Sequence, residues 1–310
     1  MLYCPRTISQ EIMGEKMKNN LPKLRIRNVF NQLAGLVTAA LTISLLATNQ
    51  VLADDFRSVG IELTSDDNLS RSQPGEELSS LGLSGTYSLG SRKQLSDTSS
   101  LRRVYRLGIA YYPSYTGYSN LSAEAQFSYK KKTGLGPQAW WWSGGANAGY
   151  AFYSDGNRSN FYLRGDLSVG KRFGERTGVS AGYAIDQASA GDAVYSISGQ
   201  GPKANIDFTI SERWLAYASW KSRTGDSWMA TGLGDPGGPD KAPWISDSTF
   251  TGYQAYRKDS TGTETKYGVN YVLNDQSSVD FSYMKRSVQV KGTSSWYYNN
   301  IYAVSYFRSL

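Results

Sequence analysis

From about residue 56 to residue 310 the chain breaks repeatedly into stretches of about ten residues in which every second side chain is apolar or aromatic. Between Thr265 and Leu273, for example, Tyr267, Val269, Tyr271 and Leu273 alternate with Lys266, Gly268, Asn270 and Val272. A period of two places successive side chains on opposite faces of a strand, so each stretch has one greasy and one wet face. About twelve such strands can be counted. The expected fold is all-β: a transmembrane antiparallel up-and-down β-barrel of about 12 strands over residues 54–310.

Residues 1–53 have the layout of a secretory signal peptide. Arg6, Lys16, Lys18, Lys23, Arg25 and Arg27 precede an apolar run from Val29 to Ala47, and Val51-Leu52-Ala53 supplies small residues for cleavage. Met17 could serve as the initiator, since a complete signal peptide already lies between it and Ala53. The apolar run is also long enough for an N-terminal membrane anchor. The net charge of the whole chain is +7, but the leader holds six of its 33 basic and two of its 26 acidic residues. The remainder is therefore nearly balanced, at about +3, which argues against nucleic acid as a partner.

The one cysteine, Cys4, lies in the leader, so the exported part has no thiol to form a disulfide. A closed sheet, in which every strand is bonded on both edges, can hold such a chain together. A soluble β-sandwich shows the same alternation with its apolar face inward. Against it stand about twelve similar strands without a helix or a break in composition. A twelve-stranded barrel is also too wide for side chains to fill, so it tolerates a polar interior. The 23 tyrosines suit a bilayer boundary, where an apolar ring and a hydroxyl are both satisfied.

The last strand carries Tyr302, Val304 and Tyr306 at alternate positions close to the terminus. It resembles the C-terminal signature of Gram-negative outer-membrane barrels, and the chain as a whole is similar to porin-like members of that group. It departs from the pattern in ending on Leu310 where phenylalanine is usual, and in placing Arg308 in the apolar register, from which it must snorkel. The resemblance implies outer-membrane location, contact with outer-membrane lipid and insertion by the barrel assembly machinery. An even strand number puts both termini on one side. If that side is the periplasm, the short breaks Phe173-Gly174-Glu175 and Asn274-Asp275-Gln276 fall there and the long segment from Arg223 to Thr261 falls outside. Residues 90–100 then form a long periplasmic turn and 154–158 a short outer loop. Near Gly201-Pro202 the apolar set changes parity, which predicts a bulge.

The sequence contains no histidine. Outer-membrane phospholipases, deacylases and omptin-like proteases resemble this architecture but rely on a Ser–His or Asp–His pair, so those mechanisms are closed to it. No pair of carboxylates is nominated by spacing, and no phosphate loop or cofactor motif is present. Asp66 and Asp67 read as a solvated turn, with a calcium site as the alternative.

The polar faces nominate eight charged residues to line a pore: Glu62, Arg106, Glu124, Arg164, Asp166, Lys266, Asp280 and Arg286. They include four of each sign and could set a transverse field that orients polar solutes, or pair with one another and plug the barrel. Trp140-Trp141-Trp142 reads as a boundary anchor, with stacking on sugar rings as the alternative. The segment 223–261 reads as a surface recognition loop or an inward constriction. Together these features predict a passive or weakly selective channel for small polar solutes. The alternative is a non-conducting barrel serving adhesion or polysaccharide export, and a hydrolase is the least supported.

Overall fold

The computed structural model describes residues 54–232, 243–292 and 296–310. Residues 1–53, with the signal-peptide reading, lie outside the described residues, as does the Pro-Gly centre of the 223–261 segment. Twelve long strands close a single antiparallel barrel. They are β1 (Asp54–Asp66), β2 (Ser80–Ser96), β3 (Ser99–Tyr111), β4 (Asn120–Lys132), β5 (Trp141–Tyr153), β6 (Asn160–Phe173), β7 (Thr177–Ala190), β8 (Ile197–Thr209), β9 (Trp214–Gly232), β11 (Tyr253–Asn274), β12 (Ser277–Val290) and β13 (Trp296–Ser309). A three-residue strand, β10 (Trp244–Ser246), pairs with the top of β11. Each strand pairs with the next in sequence; β9 pairs with β11, and β13 with β1, which closes the ring.

Strand parity decides what each face presents. Ile61, Leu63, Leu83, Ile109, Leu163, Val169, Ile185 and Phe281 are all about half exposed, and Leu167 is 65% exposed. These residues form a continuous apolar outer surface, the inverse of a water-soluble fold. Aromatic pairs stand on it near the ends of the strands: Trp142 with Tyr129 at 5.3 Å, Trp214 with Tyr271 at 4.5 Å and Trp296 with Tyr298 at 5.3 Å. At one end, here the turn end, the strands join through short breaks at 97–98, 174–176, 210–213 and 275–276 and a longer one at 133–140, and both ends of the barrel chain lie there. At the other, the loop end, the segments 67–79, 112–119, 154–159 and 191–196 connect the strands, and 247–252 leads from β10 into β11.

Several sequence expectations change. Residues 90–100 are not a long turn: β2 runs to Ser96 and β3 begins at Ser99. The polar side chains there still alternate, but both faces are wet, so the hydrophobic period disappears while the strand continues. No bulge occurs at Gly201-Pro202, because the registers of β8 with β7 and with β9 run through unshifted. The apparent change of parity arises because Val194 and Tyr195 belong to a 3-10 turn (Ala193–Tyr195) buried at the loop end, against which Ile197 packs. The irregularities lie instead beside turns, between Gln94 and Ser96 and between Val272 and Asn274.

The largest correction concerns 223–261, most of whose described part is strand. β9 continues to Gly232 and β11 starts at Tyr253, and the two stay paired to their tips. β9 loses β8 at Gly225, whose φ of 144° only glycine adopts freely and whose added Cβ would strike the Ser198 carbonyl. β11 loses β12 at Ser260. Beyond those points the hairpin Asp226–Gly232/Tyr253–Asp259 leaves the wall and folds across the loop-end mouth, with residues 227–231, Ala255 and Tyr256 buried. Met229 and Tyr256 pack against Val288, Val290 and Tyr297. On the other face Trp228, Ala230 and Ala255 pack against Leu69, Val194, Tyr195 and Phe250, with Tyr115 and Tyr118 alongside. Of the two readings of this segment, the inward one is observed.

Candidate functional site: the lumen and its lid

The inner wall is built by the residues between the apolar ones. All eight charged residues nominated from sequence fall on it, on the face opposite the exposed apolar rows. Arg106 donates to the Glu124 carboxylate at 2.7 Å and to Gln126 Oε1 at 3.2 Å. Glu62 accepts from Ser305 Oγ at 2.8 Å. Asp166 is bonded by Lys203 at 2.7 Å, Asp280 by the Tyr217 hydroxyl at 2.9 Å, and Arg286 reaches Glu264 at 2.9 Å. Arg164 lies over the Tyr162 ring at 4.8 Å, and Lys266 lies near the Tyr217 ring at 5.9 Å.

Among the eight, Arg106 and Glu124 alone form an ion pair with each other among the described residues. The other partners lie on the same inner parity and were missed, as was Asp186, which holds both Lys221 and Arg223. Ile185 is a clear outward residue, so the alternation that nominated the eight also assigns Asp186 inward.

These contacts follow the wall. Each joins strands that are adjacent or two apart, and none among the described residues crosses the lumen. Reaching over a strand requires that strand to lack a side chain. Tyr162 of β6 donates to Glu124 of β4 over Gly149, where an added Cβ would lie 2.5 Å from the tyrosine ring. Gly268 lets Tyr217 of β9 reach Asp280 of β12 in the same way. The charged side chains therefore lie flat against the wall, wetted to differing degrees. Side-chain exposure is 42% for Arg106 and 36% for both Asp166 and Glu264, but 17% for Asp186 and 12% for Glu124, and Asp280 is buried.

The loop end is chemically different. Arg158, at the end of a 3-10 turn (Gly156–Arg158), is 3% exposed and pairs with the fully buried Asp247 carboxylate and, at 3.5 Å, with Asp155. Its Nε donates to Thr249 Oγ1 at 3.2 Å. Four rings surround the guanidinium: Tyr195 at 4.2 Å, Trp228 at 4.6 Å, Phe250 at 5.2 Å and Tyr118 at 5.4 Å. Burial pushes the Tyr195 phenol well above its ordinary range; Arg158 opposes the shift, and Asp247, which accepts its hydrogen bond at 3.2 Å, adds to it.

The first loop secures the other edge of the lid. Ala230 N donates to Ser70 O at 3.1 Å, and the Glu76 carboxylate accepts from Thr231 Oγ1 at 2.8 Å and from Gly232 N at 3.0 Å. Asp67 is exposed in a turn, as expected, but Asp66 is not: it ends β1 and is buried. Asp66 accepts from Asn68 N and Asn299 Nδ2, while Asp67 accepts from Asn300, so the pair ties the first loop to β13. No group of three or more candidate metal-ligating side chains exists among the described residues.

The three adjacent tryptophans take three roles. Trp142 stands on the outer surface, as an anchor would. Trp140 is exposed in the turn. Trp141 points into the lumen under Lys130, 4.2 Å from its ring.

No family model matches the sequence, and no curated protein matches it significantly. Solved structures do match. An outer-membrane channel of the COG4313 group from Pseudomonas putida F1 superposes with a TM-score of 0.57 at 11% identity, covering 85% of this chain and 98% of that one. A KdgM porin in complex with disordered oligogalacturonate matches at a TM-score of 0.44 and 11% identity, covering 82% of this chain and 99% of that one. At such identities the likeness concerns the fold. The chain has the fold of a porin-like outer-membrane β-barrel.

Proposed function

We propose that the protein is an outer-membrane channel for small polar solutes, passive or weakly selective, with its loop-end mouth narrowed by the folded-in hairpin. One observation carries this reading. Between the lid and the turn end, the charged side chains lie against the wall and leave the barrel axis uncrossed, and several of them, including Arg106, Asp166 and Glu264, keep more than a third of their surface exposed. A plugged barrel would pair them across the axis and dry them. A small cavity of about 210 Å³ remains beneath the lid, lined by Tyr153, Arg158, Tyr162, Arg164 and Asp186 among others. The apolar outer surface fits the lipid of the outer membrane, reached through the barrel assembly machinery.

The lid supports a second reading, a non-conducting barrel with a structural or surface-interaction role, because both its faces are packed. Single-channel recording in a planar bilayer separates the two. The channel reading predicts steady current steps, larger when the lid is released by Arg158→Met. Silence from the native protein and from that variant contradicts it and favours the structural role.

A further inference from the structure

At the turn end the inner wall carries a group of cations with few acidic partners. Arg92 of β2 and Arg102 of β3 are direct register partners, both on the inner parity. Arg102 faces Ser128 of β4, and Lys130, two residues further along the same face, is its diagonal neighbour. Like charges placed directly opposite on a sheet repel and destabilise the pairing. Asp54 of β1 is the other register partner of Arg92, yet among the described residues none of the three cations takes part in an ion pair or a side-chain hydrogen bond. Arg102 lies over the Phe56 ring at 5.1 Å and Lys130 over Trp141 at 4.2 Å, contacts that hold a cation in place without cancelling its charge. Gly90 and Gly170 leave the room that the Phe56 and Trp141 rings occupy. Nearby, Arg172 meets its nearest carboxylate, Asp207, only at 3.9 Å. Elsewhere on the wall Arg106, Lys203, Lys221, Arg223 and Arg286 each have a carboxylate within 3.4 Å.

We infer that Arg92, Arg102 and Lys130 form an anion-recognition site at the turn-end mouth, which makes the channel selective for small oxyanions bearing carboxylate or phosphate groups. This rests on the channel reading and specifies its solute class. Guanidinium pairs take such oxygens through two parallel hydrogen bonds, and an arriving anion removes the repulsion that the empty wall bears. A one-signed patch on a low-dielectric wall also concentrates counter-ions at the entrance. The signal for these residues was present in the sequence, since Arg102 extends the inward parity of Arg106, and Lys130 that of Glu124, Gln126 and Ser128.

The test is the reversal potential of the native protein in a planar bilayer under a potassium chloride gradient, with inorganic pyrophosphate and then citrate added as blockers. The expected result is chloride permeability above that of potassium and block of the current by both anions, each reduced several-fold in R92Q/R102Q/K130Q. The control is K93Q/R103Q/K131Q, which removes as many charges from neighbouring positions on the outer parity and should leave both readouts unchanged. A folded triple variant is also expected to withstand more denaturant than the native protein, because its wall no longer opposes like charges. If the triple variant does not fold, the native preference and block, with Arg92→Gln and Lys130→Gln singly, decide the matter. A conducting channel without anion preference or block overturns this site and leaves the channel reading standing. A silent protein overturns both.

Discussion

The two ends of this barrel treat arginine in opposite ways. At the loop end Arg158 is buried, paired with two carboxylates and ringed by aromatic side chains, and it ties loops from separate strand pairs to one lid. At the turn end Arg92 and Arg102 face each other in water, and neither takes part in an ion pair among the described residues. The first arrangement repays the desolvation of a charge with partners on every side, and it holds the loops in place. The second gains nothing for stability. Rigidity is concentrated where the hairpin crosses the mouth, while unneutralised charge is concentrated where the lumen stays wet.

That contrast breaks most visibly at Arg158. Replacing it with methionine keeps the volume but leaves Asp247 and Asp155 buried without their cation, a loss of about 3–5 kcal/mol. The lid should then open while the wall persists. Hydrogen exchange over 244–256 is expected to accelerate strongly with little change in β2–β7, and adding Asp247→Asn should restore part of the protection. Uniform acceleration would mean that lid and wall unfold as one unit.

The wall between the two ends offers the next test. Val269→Arg places a charge on the apolar outer surface and should cost roughly 2–4 kcal/mol near the middle of the bilayer. Asn270→Arg, one position on, faces the lumen and should leave the denaturation midpoint nearly unmoved while altering conductance. A smaller effect, about 1–3 kcal/mol, is expected from Gly225→Val, which forces a branched residue into a conformation suited to glycine at the point where β9 leaves the wall. Faster exchange confined to 226–232 and 253–259 would confirm the hinge. The smallest change belongs to Lys291, whose pair with Asp259 at 2.9 Å is about half exposed on both sides. Lys291→Ala should shift stability by no more than about 1 kcal/mol, a loss that added salt should mask.

How far the sequence could be read follows the same division. Wherever one face meets an apolar surround and the other meets water, the period of two is clean, and Tyr267, Val269 and Tyr271 alone are enough to orient β11. The inward positions of Glu62, Arg106, Glu124, Arg164, Asp166, Lys266, Asp280 and Arg286 could be read for the same reason. The period fails where both faces share one environment. Residues 227–231 are buried one after another, as are Ala255 and Tyr256, so Trp228, Met229 and Ala230 follow one another without alternation and the strand reads as a loop. Residues 90–96 are wet on both sides and read as a turn. Arg158 left no signal at all: a single basic residue in a Gly-Asn-Arg turn reveals nothing of the four rings and the Asp247 carboxylate that four other segments bring to it.

Everything above depends on which face of the sheet looks outward. Spin labels placed one at a time at residues 265–273 of the protein reconstituted in lipid, with Cys4 replaced by serine, measure this directly through their collision rates with oxygen, which dissolves in lipid, and with a nickel chelate, which stays in water. Oxygen collisions should peak at 267, 269 and 271 and nickel collisions at 266, 268 and 270. The same alternation with the two reagents exchanged, or nickel access at every position, would contradict an apolar face turned outward to lipid around a watered lumen.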